Sequence, residues 1–151
     1  MQTQQAILLH NRKVFHHFLS RFTLEQLNTI PEGFNNNIIW NIAHIVVVQQ
    51  LLVYKLSGLP TMLSDAMIEM FSKGTKPERD LTQAEVDEIK GLLFITIEKT
   101  KADYDKKIFK TYQEYTVSTK STLTNVDEAV GFNHFHEGIH LGYILALKKT
   151  L

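Results

Sequence analysis

Near its end the chain reads His134-Phe135-His136-Glu137-Gly138-Ile139-His140-Leu141-Gly142-Tyr143. If this stretch is helical, His136 and His140 leave the same face one turn apart. Two imidazole nitrogens can then meet one metal ion at about 2 Å each. The pair alone is a weak signal, because two ordinary half-buried histidines give the same spacing. His44 adds weight. It lies in Trp40-Asn41-Ile42-Ala43-His44-Ile45-Val46-Val47-Val48, a titratable ring inside an aliphatic run. A buried imidazole costs free energy unless its nitrogens are satisfied. His44 is therefore either a core histidine bonded to a carbonyl or to a side chain such as Asn41, or a third ligand facing His136 and His140. Three neutral imidazoles would leave a coordination position for water or substrate, as catalytic sites do.

Such residues need a scaffold, and the apolar pattern supplies helices. Leu8, Phe15, Phe18, Leu19 and Phe22 form one stripe over about Thr3 to Phe22. A second helix is predicted from about Asn37 to Ser57, apolar around most of its circumference, with Gly58 as its stop. Thr82 and Glu85 form a capping box that opens a third, with Val86, Ile89, Leu93, Ile97 and Tyr104 as its stripe. A fourth starts near Asn125 with Glu128 three residues on, and runs to about Lys149. Pro31, Pro60 and Pro77 fall between these segments. The prediction is an all-α, single-domain four-helix bundle over residues 1–151. Long connections join helices two to three and three to four. Asp65–Phe71 can form a short helix in the first, and Tyr112–Ser118 an extended stretch in the second.

Composition bounds the function. At 151 residues the chain can bury a core without staples, and its Cys count of 0 removes disulfides, thiolate ligands and a Cys nucleophile. Lys+Arg and Asp+Glu are both 16, so there is no cation surplus for a general nucleic-acid binder. The longest aliphatic run is Ile45-Val46-Val47-Val48, which argues against a membrane span. The start of the chain lacks the pattern of a signal peptide, so a cytoplasmic protein is expected.

Asn35-Asn36-Asn37 before helix two, Trp40 and His44 within it, and His136-Glu137-Gly138-Ile139-His140-Leu141-Gly142 in helix four resemble the DinB/YfiT-like superfamily. The resemblance covers nearly the whole chain in element order. It implies a four-helix bundle with a three-histidine metal site, whose ligands here would be His44, His136 and His140. It implies a divalent ion, zinc or nickel first, though imidazole ligands alone do not choose the metal. It also implies a metal-dependent transfer of a small thiol to an electrophile, or a hydrolysis by water. One departure stands out. Many members carry Gln after the glycine that follows the second His, and this chain has Tyr143. The competing reading is a non-catalytic dimeric bundle with a structural metal or none.

Other residues carry smaller expectations. His134 should point to a different face from His136. Glu137 is read as solvated, or else as a neighbour of the ligands. His10 and His17 share a face and could form a second metal site. Trp40 is expected in the core and could line the pocket floor. Gly138 and Gly142 suggest close helix–helix approach, or else clearance for a ligand. Tyr112 and Tyr115 could cover a pocket mouth. The apolar circumference of helix two suggests a homodimer.

Overall fold

The computed structural model describes residues 2–151. In chain order these form α1 (Gln2–Arg21), α2 (Leu24–Asn28), α3 (Ile38–Val53), a 3-10 turn (Lys55–Ser57), α4 (Asp65–Phe71), α5 (Gln83–Asp105), β1 (Tyr115–Thr116), β2 (Thr122–Leu123) and α6 (Val126–Leu147). The fold is mostly helical.

Helix boundaries follow local chemistry. Both arms of the Thr82/Glu85 capping box are made, and Gly58 ends the helical stretch after α3 in the left-handed region at φ 71°. Asn37 caps α3 by accepting from the Trp40 amide at 2.9 Å. Asn125 accepts from the Glu128 amide at 2.9 Å, but the Glu128 carboxylate turns back to the Thr124 amide at 2.7 Å, one residue before the cap. The short α2 has its own capping box, Thr23 with Gln26, which the sequence reading passed over. The predicted short helix at Asp65–Phe71 forms with Ser64 as its cap.

The four long helices pack on one another. α3 packs against α6 and α5, and α1 packs against the same two. Fourteen of the sixteen residues of α3 are buried, which makes it the central element. Phe15, Phe18 and Leu19 from α1 and Val86, Ile89 and Leu93 from α5 join Ile38, Ile42 and Ile45 in one core. Each such side chain contributes about 1.5–3 kcal/mol on burial. Tyr104 departs from its predicted stripe: its hydroxyl donates to Asp127 near the surface. By length and mean hydropathy, 1.4, Ile38–Ser57 could cross a membrane, contrary to the reading from run lengths. However, 83% of that window is buried inside the fold, so its apolarity belongs to the core. The apolar circumference that suggested a homodimer is likewise covered by the chain's own helices.

The two connections are ordered. The first holds the 3-10 turn and α4, and the second holds a hairpin pairing Tyr115 with Leu123 and Thr116 with Thr122. Only two residues of the predicted extended stretch become strand. Val117 and Leu123 pack with Leu52 and Ala129 in a second small core, which fixes the hairpin against the ends of α3 and α6.

Candidate metal centre

His44 stands mid-way along α3, and His136 and His140 stand one turn apart on α6, the helix that packs most closely on it. The three rings converge. One nitrogen from each lies within 4.8 Å of the others, and Nε2 of His140 is 3.2 Å from Nε2 of His136. Two nitrogens bound to one tetrahedral ion at 2.0–2.1 Å would sit about 3.3 Å apart. Ring centroids are 5.2 Å apart for His44–His136, 4.9 Å for His44–His140 and 4.5 Å for His136–His140.

Neighbouring groups set the tautomers of two rings. Nδ1 of His44 faces the Phe71 carbonyl at 2.6 Å, and Nδ1 of His140 faces Oδ1 of Asn41 at 2.8 Å. A carbonyl oxygen only accepts, so each Nδ1 carries the proton and each Nε2 keeps its lone pair. The Asn41 carboxamide is itself held: its Nδ2 donates to the Asn37 carbonyl at 2.7 Å and to Oδ1 of Asn36 at 2.9 Å. That bond fixes which end of the amide meets His140. Trp40 stacks on His44 at 4.6 Å between centroids, with its indole N–H donating to Thr75. The Nδ1 atom of His136 is buried without a hydrogen-bond partner among the described residues.

Burial keeps the rings neutral. Desolvation lowers His44, partly opposed by its bond to Phe71. Desolvation pushes His136 down to about 4, with the charge of His44 adding to it. His140 falls to about 3, again chiefly through desolvation, with His136 and His44 adding to it. Neutral imidazole is the form that ligates metal. The donor set therefore fits a divalent ion: three unprotonated nitrogens meet at one point, two of them pre-oriented by hydrogen bonds. Among the described residues this is the one group of His, Asp or Glu side chains that could hold an ion. A cavity of about 460 Å³ opens over it, lined by all three histidines.

Residues 7–144 match the family description of the DinB superfamily. The chain belongs to the DinB superfamily. A crystal structure of a conserved protein from Enterococcus faecalis is similar in fold, with a TM-score of 0.68 at 15% sequence identity. That likeness covers 99% of this chain and 95% of the other. No curated protein matches the chain. For this DinB-superfamily chain the three histidines singled out from the sequence are the three that meet. Asn41, offered in the sequence as a partner for His44, serves His140 instead.

Several expectations need correction. Glu137 is not solvated but fully buried, and its Oε1 accepts from Nη2 of Arg12 at 2.6 Å and from Nε at 2.9 Å. Burial raises its carboxyl, while Arg12, His134 and Asn133 pull it back. The signal was present in α1, where Arg12 shares a face with Leu8, Phe15 and Leu19 and so must bury its charge beside a carboxylate. Gly138 and Gly142 serve neither close packing nor ligand clearance. Both are exposed, and a Cβ at either would meet nothing within 4 Å. His10 and His17 are exposed on α1 and join no cluster. His134 turns to the Val130 carbonyl of its own helix. Trp40 is core, as expected. It lines a different cavity of about 520 Å³, with Phe71 and Arg79, not the one above the histidines. Tyr115 reaches the cavity over the centre, whereas Tyr112 packs into the small second core. Tyr143 lies edge-on to Phe34 at 5.5 Å and lines neither cavity.

Proposed function

We propose that this chain is a metal-dependent enzyme acting on a small molecule, with His44, His136 and His140 holding one divalent ion, zinc or nickel first. One observation carries the reading: three neutral imidazoles from two helices converge beneath an open cavity lined by all three. An ion bound there would act as a Lewis acid, lowering the pKa of a thiol or water that reaches it. The chain's own residues do the rest. Asn41 and the Phe71 carbonyl hold two rings in the ligating tautomer. Trp40 backs His44 and fixes its plane. Val48, Leu52 and Phe132 line the cavity and offer apolar surface to the body of a small substrate. The protein lacks cysteine, which fits a thiol supplied by a cosubstrate, and water fits the same site.

No fourth His, Asp or Glu joins the group among the described residues, which favours this reading over a closed structural site. The packing of α1, α3, α5 and α6 supports a four-helix bundle of the DinB type. The proposed setting is the cytoplasm. A homodimer stays in the proposal on a new footing, since Phe135 and Leu145 on α6 are exposed.

Elemental analysis tests the centre. Purified protein should carry about one ion per chain, and His44→Ala and His136→Ala should each lose it while keeping their helical circular dichroism. Folded variants with unchanged metal content would overturn the assignment. Assays of thiol transfer and of hydrolysis on the metal-loaded protein then choose between the two reactions.

A further inference from the structure

The cavity over the histidines has walls of two kinds. Val48, Leu51, Leu52, Val117, Phe132 and Ile139 make most of its surface apolar. Lys55 and Lys73 line it too, from separate segments: Lys55 opens the 3-10 turn after α3, and Lys73 follows α4. Both lysines are exposed, so they stand on the solvent side of the cavity. No Asp or Glu lines it. Among the described residues, neither lysine has a carboxylate within 4.0 Å, whereas Lys99 and Lys101 are each paired along α5. The chain as a whole has zero formal net charge, so this concentration of positive charge is local.

Position strengthens the point. The Phe71 carbonyl that orients His44 ends α4, and Lys73 is two residues further on. The segment that builds the centre therefore also presents a cation to the cavity above it. Three neutral imidazoles add nothing to offset either cation, and a bound divalent ion would add to them.

We propose that the substrate of this site is a small organic anion with an apolar body. Lys55 and Lys73 receive its charged group, while its apolar part lies on Val48, Leu52 and Phe132 and reaches toward the histidines. About 460 Å³ is ample for a chain of several carbons bearing one charged group. The proposal rests on the metalloenzyme reading for what happens to the bound anion. Its recognition rests on the lysines.

The test uses calorimetry on the full chain, with metal content measured on the same samples. Octanoate and octyl phosphate serve as anionic probes, and octanamide is their neutral counterpart. Both anions, or one of them, should bind about fivefold to tenfold more tightly than octanamide, the scale set by two partly exposed charge pairs. Preference for one anion over the other identifies the headgroup. The double variant Lys55→Gln/Lys73→Gln should remove the preference for the anions over octanamide and leave octanamide binding and metal content unchanged. Because both side chains are exposed, the fold should tolerate the change, and Lys55→Arg/Lys73→Arg should restore the preference. Octanamide binding as tightly as the anions, or a double variant that keeps the preference, would overturn the proposal. The two readings separate in the same samples. A metal-free protein with a lysine-dependent preference defeats the metal centre and leaves the anion site standing. A metal-loaded protein without the preference defeats the anion site alone.

Discussion

Asn41→Ala is the sharpest probe of the centre, because Asn41 touches one of the three proposed ligands without being one itself. Its Oδ1 accepts from Nδ1 of His140 at 2.8 Å and holds that ring with Nε2 free. Alanine removes the acceptor. The ring can then carry its proton on Nε2, the tautomer that does not ligate, and must be reoriented before metal binds. Losing such an outer partner typically weakens metal affinity about 10–100-fold, or about 1.4–2.7 kcal/mol. The apoprotein also loses two bonds from Nδ2, to Asn36 and Asn37, so its own stability should fall by about 1–3 kcal/mol. The two effects separate experimentally. Competition against a chelator of known affinity gives the first, and urea unfolding in excess chelator gives the second. For a chain of this length about 1 kcal/mol moves the midpoint by about 2–4 °C, so the metal-induced rise in Tm should shrink by roughly 3–10 °C. Asn41→Asp keeps an acceptor facing His140 but sets its second oxygen against the Asn37 carbonyl and Oδ1 of Asn36, so it should recover only part of the affinity. An Asn41→Ala protein with wild-type metal affinity would refute the claim that this amide sets the tautomer.

Arg12→Met should destabilise by about 3–5 kcal/mol in urea unfolding, because it strands the fully buried Glu137. Adding Glu137→Leu should recover most of that loss, and a near-neutral single variant would contradict the buried pair. Leu93, fully buried between helices, should cost about 2–5 kcal/mol as Leu93→Ala, and a smaller loss would mean that the core closes over the gap. Glu85 is held down at about 2, first by Arg79 and then by the Thr82 amide. Its folded pKa lies below the unfolded value of 4.5, so its contribution is present above pH 4.5 and is lost as pH falls toward 2. Glu85→Gln should therefore cost stability at pH 7 and cost less at pH 3, and a deficit equal at both would show the sign to be wrong.

The sequence alone determined the long helices and which side chains leave each of them together. His136 and His140 share a face because a helix repeats every 3.6 residues, and no tertiary contact is needed to know it. The capping residues at Thr82 and Asn125, the stop at Gly58 and the short helix at Asp65–Phe71 were legible for the same reason, since each depends on neighbours a few residues away. The aliphatic run around His44 left two readings open, a core histidine or a third member of the group. The resemblance favoured the second, and only the packing of α3 on α6 brought its ring against the other two. Glu137 shows where one-dimensional reading stops. A lone glutamate beside a ligand looks solvated until α1 delivers Arg12, 125 positions earlier, to its carboxylate. Asn41 was legible as a partner for an imidazole but not for which one, and the Phe71 carbonyl and the two cavity lysines were invisible in the sequence, because their roles depend on distances between elements. Spacing along one helix fixes which side chains leave together. The docking of one helix on another decides what they meet.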